Sequence, residues 1–223
     1  MSLFRKKRIG IYGGTFDPPT MAHSRAIYYA KKKMKLDHVI VMPCGDHRFK
    51  EDSTPFEHRF AMSTLKFLAP DVSVSSYEKD LGTGGSAYSM LCRLTGRSEF
   101  MDRDFRSLVD IYYIIGQDCA DEIETWDEYK HLLETFKFIV LPRREPNGNP
   151  GPPSKGKWYT EWLSGHKFLK GVDIGPQSSS QVREWFKSKG ESLDRCNAEM
   201  WIRDLDVVRY IKRNKLYGQS EDS

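Results

Sequence analysis

Short apolar segments alternate with longer amphipathic ones along most of the chain. The short segments lack strict alternation, as in parallel strands that are covered on both faces. They predict strands at residues 8–12, 38–42, 72–76, 109–115, 136–141 and 171–174. Between them, apolar residues recur every three to four positions, which is typical of amphipathic helices. This spacing predicts helices over residues 20–34, 56–68, 86–95, 118–133, 178–189 and 204–214.

The repeated strand–helix alternation predicts an α/β protein with a doubly wound, Rossmann-like parallel sheet. At 223 residues, we expect a single domain over 1–223 with a small helical portion near 178–217. In such sheets ligands bind beyond the carboxyl ends of the strands. Residues 144–154 (REPNGNPGPPS) predict a loop. Both a lid and a tolerated surface insertion remain open for it.

Composition narrows the class of protein. The content of 39% hydrophobic and 30% charged residues is typical of a globular chain. The net charge of +4 is too mild to indicate nucleic-acid binding, but it suits small polyanionic substrates. Four scattered cysteines without a CxxC pair argue against a zinc site and favour a reducing compartment. No apolar run reaches membrane-spanning length, so we expect a cytoplasmic enzyme.

The segment RIGIYGGTFDPPTMAH, residues 8–23, carries the clearest chemistry. It predicts a buried strand, a turn at Gly13 and Gly14, and a helix start. A turn of this kind brings backbone N–H groups and a helix N-terminus to one point, which suits an anion. Thr20 and His23 are three residues apart, so on a helix they share one face near its positive end. The segment therefore predicts a phosphate site with a hydroxyl and an imidazole.

A second polar motif, QSSSQVR at residues 177–183, lies far downstream. Serines at a helix start supply a cap and accompany unpaired backbone N–H groups. Arg183 lies one turn further, and its planar guanidinium suits phosphate oxygens. Taken alone, the motif is more typical of an ordinary serine-capped helix. Together with residues 8–23, it predicts the second half of a phosphate site.

These two motifs resemble signatures of the nucleotidyltransferase superfamily. Residues 13–23 resemble its T/HxGH motif, with Thr20 in the first position and Ala22 in place of the glycine. Residues 177–183 resemble its ISSTxxR motif, with Gln177 and Ser180 as departures.

Further matches resemble the nicotinate- and nicotinamide-mononucleotide adenylyltransferases within that superfamily. Gly116-Gln117-Asp118 with Trp126 resembles their GxDxxxxxxxW stretch. Phe49-Lys50 and residues 57–62 resemble the PHK…HR..M region of the bacterial enzymes, and residues 207–217 resemble their V..YI....LY ending. That ending is a packing signature. The matches cover residues 8 to 217, nearly the whole chain.

The resemblance implies an enzyme that transfers an adenylyl group from ATP to nicotinate mononucleotide, with Mg²⁺ accompanying ATP and no metal ligand from the protein. It implies His23 and Thr20 as the catalytic residues, donating to the α-phosphate. The residues implied in binding ATP and its phosphates are Gly13, Gly14, Thr15, Phe16, Lys50, Ser178, Ser179 and Arg183.

The resemblance also implies Gly116 and Asp118 at a ribose, and Trp126 stacking on the pyridine ring of the acceptor. Tyr88 and Ser89 lie in a stretch that loosely resembles the family's GPSYT loop, and we expect them near the acceptor as well. Three alternatives stay open: nicotinamide mononucleotide as the acceptor, a pantetheine-phosphate adenylyl- or cytidylyltransferase, and a nucleotide-binding domain without catalysis. We expect ATP and a pyridine mononucleotide as partners, with no nucleic acid or membrane; the oligomeric state stays open.

Overall fold

Six parallel strands form one sheet in the order β3-β2-β1-β4-β5-β6. This computed structural model describes residues 5–45, 53–81, 86–96, 108–142, 144, 149, 151–154, 157–160, 165–188 and 201–218. The strands are β1 (Lys7–Gly14), β2 (His38–Pro43), β3 (Val72–Val74), β4 (Val109–Gly116), β5 (Lys137–Leu141) and β6 (Lys167–Phe168).

The chain order reverses between β1 and β4, which are neighbours in the sheet. This is the switch point at which doubly wound sheets bind ligands. The predicted α/β class and doubly wound, Rossmann-like parallel sheet are confirmed. Among the described residues, no helix combines the length and the apolar character that a bilayer span requires.

Eight helices within the described ranges accompany the sheet. They are α1 (Met21–Met34), α2 (Phe56–Lys66), α3 (Tyr77–Leu81), α4 (Ala87–Leu94), α5 (Gln117–Asp121), α6 (Tyr129–Thr135), α7 (Ser179–Ser188) and α8 (Leu205–Arg213). Helix α1 buries the alanine face that its spacing predicts, with Ala22, Ala26 and Ala30 against the sheet. It ends at Lys35, whose left-handed backbone (φ 52°) caps the last turn.

Two predicted elements are wrong. The sixth strand is β6, not residues 171–174, because Gly171 and Gly175 have left-handed backbones (φ 73° and 87°) that a strand does not accommodate. The helix predicted over 118–133 is broken into α5, a 3₁₀ turn (Ile123–Thr125) and α6. An extended Trp126 (ψ 144°) and a left-handed Glu128 (φ 56°) separate these pieces.

Two apolar clusters cover the two faces of the sheet, and a third joins the helices near the C-terminus. In the third, Met62 of α2 packs with Val182 and Phe186 of α7 and with Val207 and Ile211 of α8. This cluster holds the start of α7 against the carboxyl end of β1.

Candidate active site

The carboxyl end of β1 lies close to β4, and Gly13 and Gly14, predicted as a turn, are the last two residues of this strand. A methyl group added to Gly13 would lie 2.3 Å from the Tyr113 hydroxyl, far inside contact distance. Tyr113 is itself buried, so only glycine leaves room for this approach. Phe16 follows with a left-handed backbone (φ 50°) that is unusual for a bulky residue. Its ring packs edge-on against Tyr12, His23 and Phe67, and these contacts hold the turn.

The His23 imidazole is neutral, and its tautomer is fixed. The Thr20 backbone N–H donates to Nδ1 across 2.9 Å, so Nδ1 is an acceptor and Nε2 carries the ring's proton. Burial against aromatic rings, assisted by the nearby Lys66 charge, lowers the pKa of His23 to about 4. At neutral pH the side chain therefore offers an uncharged N–H donor, and part of its surface remains accessible.

Three hydrogen bonds tie the turn after β1 to the start of α7, about 160 residues away. The Thr20 hydroxyl donates to the Gln177 carbonyl at 3.2 Å, and the Ser179 hydroxyl donates to the Pro18 carbonyl at 2.9 Å. Arg183 donates from Nη1 to the Asp17 carbonyl at 2.6 Å. The two sequence motifs therefore lie against each other in the fold.

Thr20 has a different partner from the one expected at the sequence level. It is 0% exposed, and its hydroxyl is directed to Gln177 rather than to the open side of the turn. The same oxygen also lies 3.1 Å from Nδ1 of His23, to which the Thr20 backbone N–H donates. Thr20 therefore contacts both His23 and the segment before α7, and its catalytic role stays a prediction from the sequence.

The start of α7 is closed by a reciprocal cap. The Ser178 N–H donates to Gln181 Oε1 at 3.0 Å, and the Gln181 N–H donates to Ser178 Oγ at 3.2 Å. This is the capping box of a serine-led helix, so Ser178 acts as the ordinary cap that the sequence also allowed. Arg183 lies one turn further along α7, and its Nη2 donates back to the Ser180 hydroxyl on the first turn. The helix start thus combines its dipole with a guanidinium.

The other predicted residues lie further along the edge of the sheet. Gly116 ends β4, and a methyl group there would lie 2.4 Å from the Asp118 carboxylate, which is exposed. Trp126 and Tyr88 are half-buried at the margin of the second apolar cluster, and Tyr88 contacts the rings of His131 and Phe136. Ser86 is the N-cap of α4, and its hydroxyl oxygen accepts a hydrogen bond from the Ser89 backbone N–H at 3.2 Å. Lys50 lies outside the described residues.

Both ends of the predicted loop at 144–154 are fixed. Arg144 makes a two-pronged contact with the Asp173 carboxylate, at 2.8 Å and 3.2 Å. Gln117 at the start of α5 donates to the Pro152 carbonyl and to Ser154. The loop therefore begins near the segment before α7 and ends against α5.

Comparisons with known proteins identify the family of this chain. A family model described as cytidylyltransferase-like matches residues 11–185. A probable nicotinate-nucleotide adenylyltransferase of Acholeplasma laidlawii is 32% identical, over 94% of this chain and 97% of its own. One of Clostridium botulinum is 34% identical, over 96% and 99%. The chain belongs to the nicotinate-nucleotide adenylyltransferase family. Within the broader cytidylyltransferase-like group, the match includes both sequence motifs.

The fold of this family member is also found in solved structures. The Plasmodium falciparum nicotinic acid mononucleotide adenylyltransferase, solved in complexes with APC and with NaAD, has a TM-score of 0.69. It is 22% identical, and the alignment covers 96% of this chain and 98% of that one. This likeness concerns the fold.

Arg59 organises this family member's site, and the sequence analysis gave it no role. It is 1% exposed, and its guanidinium donates to four backbone carbonyls, those of Thr15, Cys44, Gly45 and Thr54. The turn after β1 and the segments that leave β2 and enter α2 therefore share one buried cation. The sequence did contain a signal that Arg59 is buried. It lies three residues from both Phe56 and Met62, on the apolar face of α2.

Glu78 of α3 is the second residue that the sequence analysis missed. It is 8% exposed and accepts a hydrogen bond from the Gly45 N–H at 3.3 Å. Burial raises the pKa of Glu78 to about 7, although the Gly45 N–H, the Arg59 charge and Cys44 oppose this rise. The carboxyl is therefore partly protonated at neutral pH.

We expect Glu78→Gln to remove a pH-dependent loss of stability. The folded pKa of about 7 exceeds the ordinary 4.5, so the folded state binds the proton more tightly than the unfolded state. Stability from this group is complete below about pH 4.5 and is lost as the pH rises through 7. Urea unfolding from pH 5 to 8 should show the wild type losing up to about 3 kcal/mol relative to the variant. Glu134→Gln, at an exposed carboxylate, is the control. Parallel curves for wild type and Glu78→Gln would contradict this prediction.

Proposed function

We propose that the protein transfers the adenylyl group of ATP to nicotinate mononucleotide, giving nicotinate adenine dinucleotide and pyrophosphate. The observation that supports the proposal is the set of hydrogen bonds between the two motifs, which joins the turn leading to the neutral His23 donor with the helix start that carries Arg183, at the switch point. Relatives that span almost the whole chain bear the name of this activity. The product dinucleotide belongs to pyridine-nucleotide biosynthesis.

In the proposed reaction, a phosphate oxygen of the mononucleotide attacks the α-phosphorus of ATP, and the bond to the bridging oxygen of the β-phosphate breaks. No covalent enzyme intermediate is needed. Catalysis of this type consists of alignment and charge stabilisation. The Nε2–H of His23 would donate to an α-phosphate oxygen as negative charge develops there. Gly13, Gly14 and Thr15 would let backbone N–H groups approach the phosphates.

The leaving pyrophosphate would lie at the start of α7. Arg183 supplies planar N–H donors, Ser178 and Ser179 begin the helix, and the helix dipole adds positive potential there. Phe16 would contribute by packing beneath His23, which its ring contacts at 5.1 Å. Lys50 stays a proposed phosphate contact from the sequence.

On the acceptor side, Trp126 is our candidate for stacking on the pyridine ring, with Tyr88 and Ser89 nearby along the same edge. Gly116 and Asp118 are the candidates for a ribose contact, and the exposure of Asp118 is compatible with that role. We expect the enzyme to act in the cytoplasm, and none of the three described cysteines is in a disulfide.

Magnesium would enter with ATP as part of that substrate, held by triphosphate oxygens and water. Within the described residues, no group of three or more His, Cys, Asp or Glu side chains could hold a metal ion. Asp17, the nearest carboxylate in sequence, already accepts hydrogen bonds from Thr54 and Tyr217.

The function is tested by assaying pyrophosphate release from the purified full chain. ATP and CTP are each combined with nicotinate mononucleotide, nicotinamide mononucleotide or phosphopantetheine, and each product is identified by mass. We expect the highest kcat/KM for ATP with nicotinate mononucleotide. A preference for CTP or phosphopantetheine would overturn the proposal, and so would nucleotide binding without pyrophosphate release. Preference for the nicotinamide substrate would correct the acceptor alone.

We expect Arg183→Ala to weaken ATP binding more than it slows the reaction at saturation. The substitution removes a charged, two-pronged phosphate donor, whose loss costs roughly tenfold or more in affinity. The measurement is the Kd of ATP by calorimetry, together with kcat and both KM values. Arg209→Ala, on the exposed face of α8, is the matched control. Unchanged ATP affinity in Arg183→Ala would remove this residue from the triphosphate site.

A further inference from the structure

Asp17 is a buried acidic residue within the turn that joins β1 to α1. The residue is 3% exposed, and its two carboxylate oxygens accept hydrogen bonds from different parts of the chain. The Thr54 N–H donates to Oδ2 at 3.1 Å, and the Tyr217 hydroxyl donates to Oδ1 at 2.7 Å. A buried carboxylate requires such donors, because it has lost its water.

Tyr217 reaches Asp17 from the far end of the chain. After α8 ends, Lys215, Tyr217 and Gly218 have left-handed backbones, with φ values of 50°, 66° and 78°. Such a backbone is uncommon for tyrosine, and it persists where the surroundings impose it. Here the Tyr217 ring lies 6.1 Å from Phe186 of α7. The C-terminal segment therefore folds back and places the Tyr217 hydroxyl against Asp17, in the turn that joins β1 to α1.

Arg183 belongs to the same group of side chains. It donates to the backbone carbonyl of Asp17 at 2.6 Å, so its guanidinium lies against the same residue that Tyr217 contacts. A carboxylate with too few donors attracts a nearby guanidinium, since charge-assisted pairs are the strongest hydrogen bonds available. Such an ion pair would compete with the triphosphate for Arg183.

We propose that Tyr217 is a positioning residue of the ATP site. By donating to the Asp17 carboxylate, it satisfies that charge from the side of the C-terminal segment and leaves the Arg183 guanidinium available to the triphosphate. The sequence predicts the LY ending as a packing signature alone, and this contact gives it a part in substrate binding. The inference rests on the proposed function only in assuming that Arg183 binds ATP.

The test compares wild type, Tyr217→Phe and Tyr210→Phe. Tyr210 is the matched control, because its hydroxyl contacts His58 at 3.0 Å and does not contact Asp17. The readout is the Kd for α,β-methylene-ATP by calorimetry, which needs no acceptor or turnover. We expect Tyr217→Phe to raise this Kd about five- to tenfold, the size of one ordinary net hydrogen bond, and Tyr210→Phe to change it less than twofold. The KM for ATP should rise, while the KM for the acceptor stays unchanged.

A second comparison separates positioning from plain structural support. In an Asp17→Asn background there is no carboxylate charge to compete for Arg183, so Tyr217→Phe should change the Kd less than twofold. The inference is overturned if Tyr217→Phe binds the analogue like wild type, if it has the same effect in the Asp17→Asn background, or if Tyr210→Phe weakens binding equally. Analogue binding without adenylyl transfer by the wild type would instead refute the proposed function.

Discussion

Replacing His23 with alanine is expected to lower kcat about a hundred- to a thousandfold, which is the usual cost of losing one preorganised donor to a developing charge. The fold should persist, because His23 lies in the first turn of α1 and its substitution by alanine removes little of the apolar core. The measurement is single-turnover pyrophosphate release at saturating ATP, with circular dichroism to verify folding.

The control for this variant is His38→Ala. His38 begins β2 at the opposite end of the sheet, where its ring contacts Ser73, so activity should stay near that of wild type. A folded His23→Ala protein with near-normal adenylyl transfer would show that the active-site assignment is wrong.

The neutral state of His23 also predicts the acid limb of the pH profile. Its pKa of about 4 means that protonation removes the acceptor role of Nδ1 only well below pH 6. The ordinary value is 6.5, so this histidine should cause no loss of kcat between pH 8 and 6. An inflection near 6.5 that disappears in His23→Ala would contradict the assigned tautomer.

The second large effect is expected for Arg59→Met. Methionine fills similar space, but it leaves the carbonyls of Thr15, Cys44, Gly45 and Thr54 without their shared donor. Removing one member of a buried polar network costs about 3–5 kcal/mol. In a chain of this size that corresponds to a fall in Tm of roughly 10 °C. Activity should fall too, because the turn after β1 loses the hydrogen bond from Arg59 to the Thr15 carbonyl.

Thermal and urea unfolding, followed by activity at a temperature where the variant is folded, tests this expectation. Arg209→Met is the control, since Arg209 forms an exposed pair with Asp206 and such pairs contribute little. Arg59→Lys separates charge from geometry, because an ammonium cannot reach four carbonyls at once. A free energy of unfolding for Arg59→Met within about 1 kcal/mol of wild type, on the scale of ordinary surface changes, would refute the anchoring role.

Local pattern was sufficient where a signal lies within a few residues. The three-to-four spacing of apolar residues over 20–34 predicted α1, whose buried residues include Ala22, Ala26 and Ala30, and five of the six predicted strands are confirmed within a few residues. Prediction from local pattern failed where a single residue with an unusual backbone conformation ends or interrupts an element. Left-handed residues at Gly171 and Glu128 displaced the sixth strand and divided the predicted 118–133 helix, and neither conformation is readable from hydrophobic periodicity.

The sequence by itself determined the α/β class, the segment between β1 and α1 and the serine–arginine motif, since each is encoded by neighbouring residues. Only the tertiary structure decided how they work together. Contacts across the fold turned Thr20 towards Gln177, set the His23 tautomer, buried Arg59 beneath four carbonyls and brought Tyr217 to Asp17. Such contacts join residues up to 200 positions apart. They depend on how the sheet and the C-terminal helices pack, which no local pattern contains.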